Sequence, residues 1–148
     1  MPQDQDRPLP KVINPLRWSA VAFLWPRRYI DVDAVVDINL EAFSDRYSWR
    51  QDAGNGLRDI TKPVRETIVD ERGDCEDYAL VAASCLLRRG ADDVHIAICF
   101  KRVWGVPVPR HVVAIGGDAV YSSGIIHEGD LEAYISQSDY WFALRRSV

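Results

Sequence analysis

Gly73-Asp74-Cys75-Glu76-Asp77-Tyr78-Ala79-Leu80 is the stretch on which the reading of this chain turns. Asp74 suits a helix N-cap, because its short side chain can accept from the orphan N–H groups of a first turn. Asp77, three residues on, can answer it as in a capping box. The pattern predicts a helix over 75–88, closed by Gly90 at the position where a left-handed residue ends a helix. Cys75, Ala79, Ala82 and Leu86 fall on one face, and the two alanines let such a helix sit close to a sheet.

Downstream of Gly90 the hydrophobic period changes to two. Val94, Ile96, Ile98 and Phe100 alternate with His95, Ala97, Cys99 and Lys101, which is a strand. Residues 103–110, with Gly105, Pro107 and Pro109, are expected to form a connection. His111–Ile115 and Ala119–Ser123 read as two further strands, joined by a tight hairpin at Gly116-Gly117-Asp118. A short helix is expected over 129–137 and a last strand over 140–144.

Upstream, Asp31 is expected to cap a helix over 32–44 with Val32, Val35, Val36, Leu40 and Phe43 on its apolar face. Residues 45–60 read as a loop. Thr61 is expected to cap a helix over 62–70 with Pro63 in its first turn. Residues 11–30 carry aromatic and aliphatic groups bounded by Pro15 and Pro26, as a short helix or an arm over the main body; residues 1–10 are expected to be a disordered lead-in. Helices first and an antiparallel meander after them give an α+β class, with helices packed on one side of an antiparallel sheet in a single domain over 11–148.

Composition narrows the function. A chain of 148 residues suits one domain with a real core. Its net charge of -4 and the lack of a basic stripe argue against nucleic acid. The Arg pairs at 27–28, 88–89 and 145–146 read as helix-end and surface charge. The apolar run Trp18–Trp25 is far shorter than the ~20 residues a bilayer span needs. The polar start is not a secretory signal, so cytoplasmic residence is the default expectation, with no membrane partner. Three cysteines, Cys75, Cys85 and Cys99, with no C-x-x-C pair, make a disulfide framework and a structural zinc site poor expectations. Cys85 and Cys99 read as core residues, and His95 and His127 as structural histidines.

Cys75 differs, because a helix N-terminus favours a thiolate through its exposed N–H groups and partial positive charge. Asp74, Glu76 and Asp77 oppose ionisation, so a nearby imidazole has to do more than the dipole. His111 opens a strand 36 positions later, and together the two are the minimal parts of a thiol acyl-transfer site. A capped helix start with a small buried residue at Cys75, and a satisfied strand histidine at His111, fit the same spacing, which does not choose between the readings. A metal site at the acids has no familiar ligand spacing.

The motif Gly73-Asp74-Cys75-Glu76-Asp77-Tyr78-Ala79 resembles the signature of the transglutaminase-like superfamily, closest to its bacterial transglutaminase-like cysteine proteinases with a papain-like core. Val36-Asp37-Ile38-Asn39, Tyr47 and Pro63-Val64-Arg65-Glu66-Thr67-Ile68 fit the elements that precede the cysteine in that family, and the resemblance covers roughly residues 32–125. It implies Cys75 as nucleophile and His111 as general base. The family's acid, in a V-[YL]-D-[SN] setting, is replaced by Ser122 within Val120-Tyr121-Ser122-Ser123. Asp118, beside the turn, does not substitute for it. A serine can orient an imidazole but does not stabilise its cation as a carboxylate does. By the same resemblance Trp49 is the candidate to help hold an oxyanion with the Cys75 N–H, the other reading being a loop aromatic packed on the surface. The resemblance therefore implies a cysteine peptidase, amidase or acyltransferase acting on a protein or peptide, with neither metal nor organic cofactor. The alternative is a domain that kept the fold, lost the chemistry, and serves as a binding or structural module. A third reading gives residues 11–30 to a partner or to the cleft.

Overall fold

The computed structural model describes residues 26–50 and 62–148. The expected lead-in at 1–10, most of the arm at 11–30 and the Thr61 cap lie outside the described residues. A 3-10 turn, Pro26–Arg28, leads to turns over 32–37 and then to helix α1 at Leu40–Arg46. The expected helix over 32–44 is thus corrected to a shorter and later one. Asn39 is the true N-cap, its side chain accepting from Ala42 N, while Asp31 accepts from Ala34 N and only closes a turn. Two aspartate- or asparagine-headed starts compete here, and Asn39 stands just before Leu40 and Phe43, both fully buried.

Helix α2 spans Val64–Asp70 behind Pro63, and α3 spans Cys75–Arg88. Two-residue strands β1 (Ser48–Trp49) and β2 (Arg72–Gly73) pair in parallel, so part of the expected 45–60 loop is pinned alongside the start of α3. Helix α3 is buried all round from Cys75 to Leu86, which suits a central helix wedged between the sheet and α1 and α2. It ends in a Schellman closure, with Gly90 N on Leu87 O at 3.0 Å, Ala91 N on Leu86 O at 3.1 Å and Gly90 at φ 83°.

Five antiparallel strands follow: β3 (His95–Val103), β4 (Val106–Gly116), β5 (Ala119–Ser122), β6 (Ile125–Glu128) and, after helix α4 (Leu131–Ser136), β7 (Phe142–Ser147). Their order in the sheet is β6-β5-β4-β3-β7. The expected connection over 103–110 is instead a hairpin: Trp104 and Gly105 make a two-residue turn with both φ positive, and strand resumes at Val106. Pro107 and Pro109 fit there because β5 pairs only with Ala114–Gly116, leaving that half of β4 with an open side for the missing donors. The register then slips: Pro109 faces Phe100 and His111 faces Cys99, so Arg110 is the extra residue of a bulge. Strand β6 was not anticipated; it follows a second left-handed pair, Ser123 and Gly124. The last strand begins later than expected, at Phe142.

The sheet buries both faces. Ile96, Ile98, Val112, Ala114 and Tyr121 pack with α1, α2 and α3. Ala97, Cys99, Val113, Ile115 and Val120 pack with Leu131 and Tyr134 of α4 and with Tyr140. The three larger helix contributions therefore lie on one side, as expected, and the short α4 covers part of the other. Among the described residues, no helix is long and apolar enough to cross a membrane.

Candidate functional site

The start of α3 is built as its sequence predicts. Asp74 accepts from Glu76 N at 3.0 Å and Asp77 N at 3.1 Å, and Asp77 accepts from Asp74 N at 3.2 Å, a complete capping box. Such a cap contributes about 1 kcal/mol. Tyr47 Oη donates to Asp74 O at 2.7 Å, and Lys62 N donates to Asp77 Oδ1 at 3.1 Å. Gly73 is required by closeness rather than by φ: a Cβ there would meet Asp77 Oδ2 at 2.5 Å and Tyr47 Oη at 2.9 Å. Cys75, at the first helical position, is buried. Trp49 pairs with Gly73, which stands two residues before Cys75. The carboxylates of Asp74, Glu76 and Asp77 approach within 4.8 Å of one another, all buried. No ligand spacing announced that cluster; the capping turn folds the Asp74 and Asp77 carboxyls back over the helix start, and Glu76 joins them from between.

The second half of the expected site is also real as a cluster. His111 Nε2 and Ser122 Oγ are 2.6 Å apart, and Tyr134 Oη donates to the same Oγ at 3.3 Å. The His111 ring stacks on Tyr140 with centroids 6.0 Å apart. His127 lies edge-on to Tyr134 at 4.9 Å. His111 is 1% exposed, and burial holds its pKa down to about 3, helped by the neighbouring His127 and Lys101. At neutral pH the ring is an uncharged imidazole. Its Nδ1 has no hydrogen-bond partner among the described residues. Sequence reasoning brought Ser122 to His111; it missed Tyr134 and Tyr140, whose only sign was an aromatic pair in a segment of no assigned role.

The two halves do not meet. From Leu86, which lies on Gly116, both elements run back toward the expected site: ~16 Å of helix to Cys75 and ~17 Å of strand to His111. But strand side chains alternate between faces. Val112, Ala114 and Gly116 turn toward α3, so His111, Val113 and Ile115 turn away from it. His111 points with Cys99 into the layer beneath α4, while Cys75 belongs to the α3 layer. The expected convergence of sulfur and imidazole is therefore corrected: the sheet stands between them.

A scan against protein-family models finds no match, and a search of curated proteins finds none either. Among solved structures the chain is similar to Legionella pneumophila LapG. Its EGTA-treated form matches with a TM-score of 0.50 at 16% identity, over 90% of this chain and 82% of that one. The same protein also matches with a TM-score of 0.49 at 16% identity, over 90% and 84%, and in a calcium-bound form with 0.49 at 17%, over 89% and 84%. The likeness is one of fold. That fold is α+β, with helices packed against an antiparallel sheet.

Proposed function

We propose that this chain is a transglutaminase-like domain that serves as a binding or structural module, with the thiol chemistry of its motif not assembled. The observation that carries this reading is the direction of His111. A general base must come within hydrogen-bond reach of the proton it takes. The His111 ring is instead committed to Ser122 in the layer on the far side of the sheet, and it is neutral and sealed from solvent. It supplies Cys75 with neither a base nor a positive charge. The three acids around Cys75 act against a thiolate as well. None of the three cysteines is in a disulfide, which suits the reducing cytoplasm that forms part of this proposal.

The thiol acyl-transfer reading is kept alive by one observation: Cys75 opens a fully capped helix beside the Trp49–Gly73 pair. In that reading Cys75 attacks an amide or ester carbonyl of a protein or peptide. His111 moves the proton, Ser122 orients the ring, and the Cys75 and Trp49 N–H groups hold the oxyanion. It requires the His111 end of β4 to turn over.

Iodoacetamide labelling followed by peptide mass mapping separates the two. The module reading predicts that folded protein alkylates Cys75 as slowly as Cys85, whose thiol burial pushes up to about 11. It also predicts no covalent adduct with ester or amide acyl-donor probes. Fast, Cys75-selective alkylation that persists below neutral pH, or a Cys75 acyl adduct, would overturn it.

A further inference from the structure

The sheet has two edges, and they are treated differently. Strand β6 packs against α1. Strand β7 has extensive packing only with β3 among the described elements, and Leu144, Arg145, Arg146 and Ser147 are all exposed. Its register identifies which groups face outward. Val148 N donates to Val94 O at 3.0 Å, so the even-numbered residues back to Phe142 turn their backbone groups toward β3. Ala143, Arg145 and Ser147 turn theirs away. The side chains divide the other way: Phe142, Leu144 and Arg146 on the α3 side of the sheet, Ala143, Arg145 and Ser147 on the α4 side.

From this edge we propose that the domain takes up an extended acidic peptide segment of a partner protein as an added strand beside β7, through the outward N–H and C=O groups of Ala143, Arg145 and Ser147. Main-chain pairing at a free edge supplies affinity, and alternate side chains supply selection. Charge chooses the occupant. The protein carries net -4, yet this edge presents Arg145 and Arg146 together, neither with an ion-pair partner among the described residues. A second copy laid against β7 would set these arginines against their own equivalents. A carboxylate-bearing strand pairs with Arg145 on one face while its apolar residues meet Leu144, 51% exposed, and Phe142 on the other. Trp141, 46% exposed with the Arg102 guanidinium 5.1 Å above its ring, marks the apolar end of the track.

The proposal deepens the binding-module reading and rests on it. Its test is fluorescence anisotropy of the full chain with a dye-labelled peptide alternating valine and glutamate, against the same peptide with lysine for glutamate. Saturable binding of the glutamate peptide is expected, weakened at least about tenfold by Arg145→Glu, with no binding of the lysine peptide. Ala143→Pro removes an outward donor that β3 does not use and is expected to weaken binding similarly; Arg145→Glu, an exposed change, keeps the test valid if the proline variant misfolds. Absence of binding, equal binding of both peptides, indifference to Arg145→Glu, or a dimer that buries β7 overturns the proposal. Cys75 alkylation measured alongside keeps the two readings apart. A slow Cys75 with no peptide bound sinks the edge proposal alone, whereas a fast Cys75 sinks the module reading whatever the peptide does.

Discussion

The helix start at Asp74–Asp77 and the strand cluster at His111–Ser122 are both buried and both polar, but they are held in different ways. The first is held by neighbours in sequence: two carboxyls and the N–H groups of one turn, with Tyr47 and Lys62 added from outside. The second is held by neighbours in space: β4, β5 and α4 each contribute one member of the Tyr134–Ser122–His111 chain. Local capping fixes where Cys75 lies whatever the sheet does. The direction of His111 depends on which face of β4 the helix chooses. A thiol site needs both, and the contrast shows how a chain can keep each half intact and still leave them apart.

The helix start is the more brittle half. Gly73→Val places side-chain atoms against Asp77 and Tyr47, both already committed to the cap. The expected loss is about 2–4 kcal/mol in urea unfolding. A loss below about 0.5 kcal/mol, the scale of an ordinary surface change, would mean that the cap is not tightly seated.

The strand cluster is pH-sensitive through His111. Its folded pKa, about 3, lies below the ordinary 6.5. Between those values the unfolded chain takes up a proton that the folded one refuses. The stability that the neutral ring contributes is therefore complete above about pH 6.5 and declines as pH falls toward about 3, by up to about 1.4 kcal/mol per pH unit. His111→Asn is expected to flatten the pH dependence relative to wild type over that window. Equal slopes in the two proteins would place His111 in contact with water or a carboxylate.

The smallest effect sharpens the separation itself. Tyr134→Phe removes one hydrogen bond to Ser122, at about 0.5–1.5 kcal/mol, and is expected to leave Cys75 alkylation unchanged. A changed Cys75 rate would show that the two layers communicate through the sheet.

The helix start could be read from sequence because its determinants lie within four residues, and the bounds of α3 came out as the cap and Gly90 implied. The meander was legible wherever apolar residues alternated, and the adjacency of His111 and Ser122 followed from the Gly116–Asp118 turn. The Trp104–Gly105 hairpin was not, because Trp104 at φ 53° is an unusual turn residue and two prolines argued against strand. Nor was the direction of His111. Val112, Val113, Ala114 and Ile115 are all buried, so β4 is apolar on both faces and its pattern does not say which face meets the helix. The α1 boundary went to Asn39 over Asp31 because tertiary burial of Leu40 and Phe43 outweighed the earlier cap.

Long-range proton–nitrogen NMR of the imidazoles, followed from about pH 8 to about pH 4 in wild type and Cys75→Ala, reads the orientation of His111 without relying on turnover. A ring walled off by the sheet keeps neutral-imidazole shifts across that range, and they are the same in both proteins. A His111 that protonates near neutrality and moves when the sulfur is removed would put the two groups in one site and return the chain to thiol chemistry.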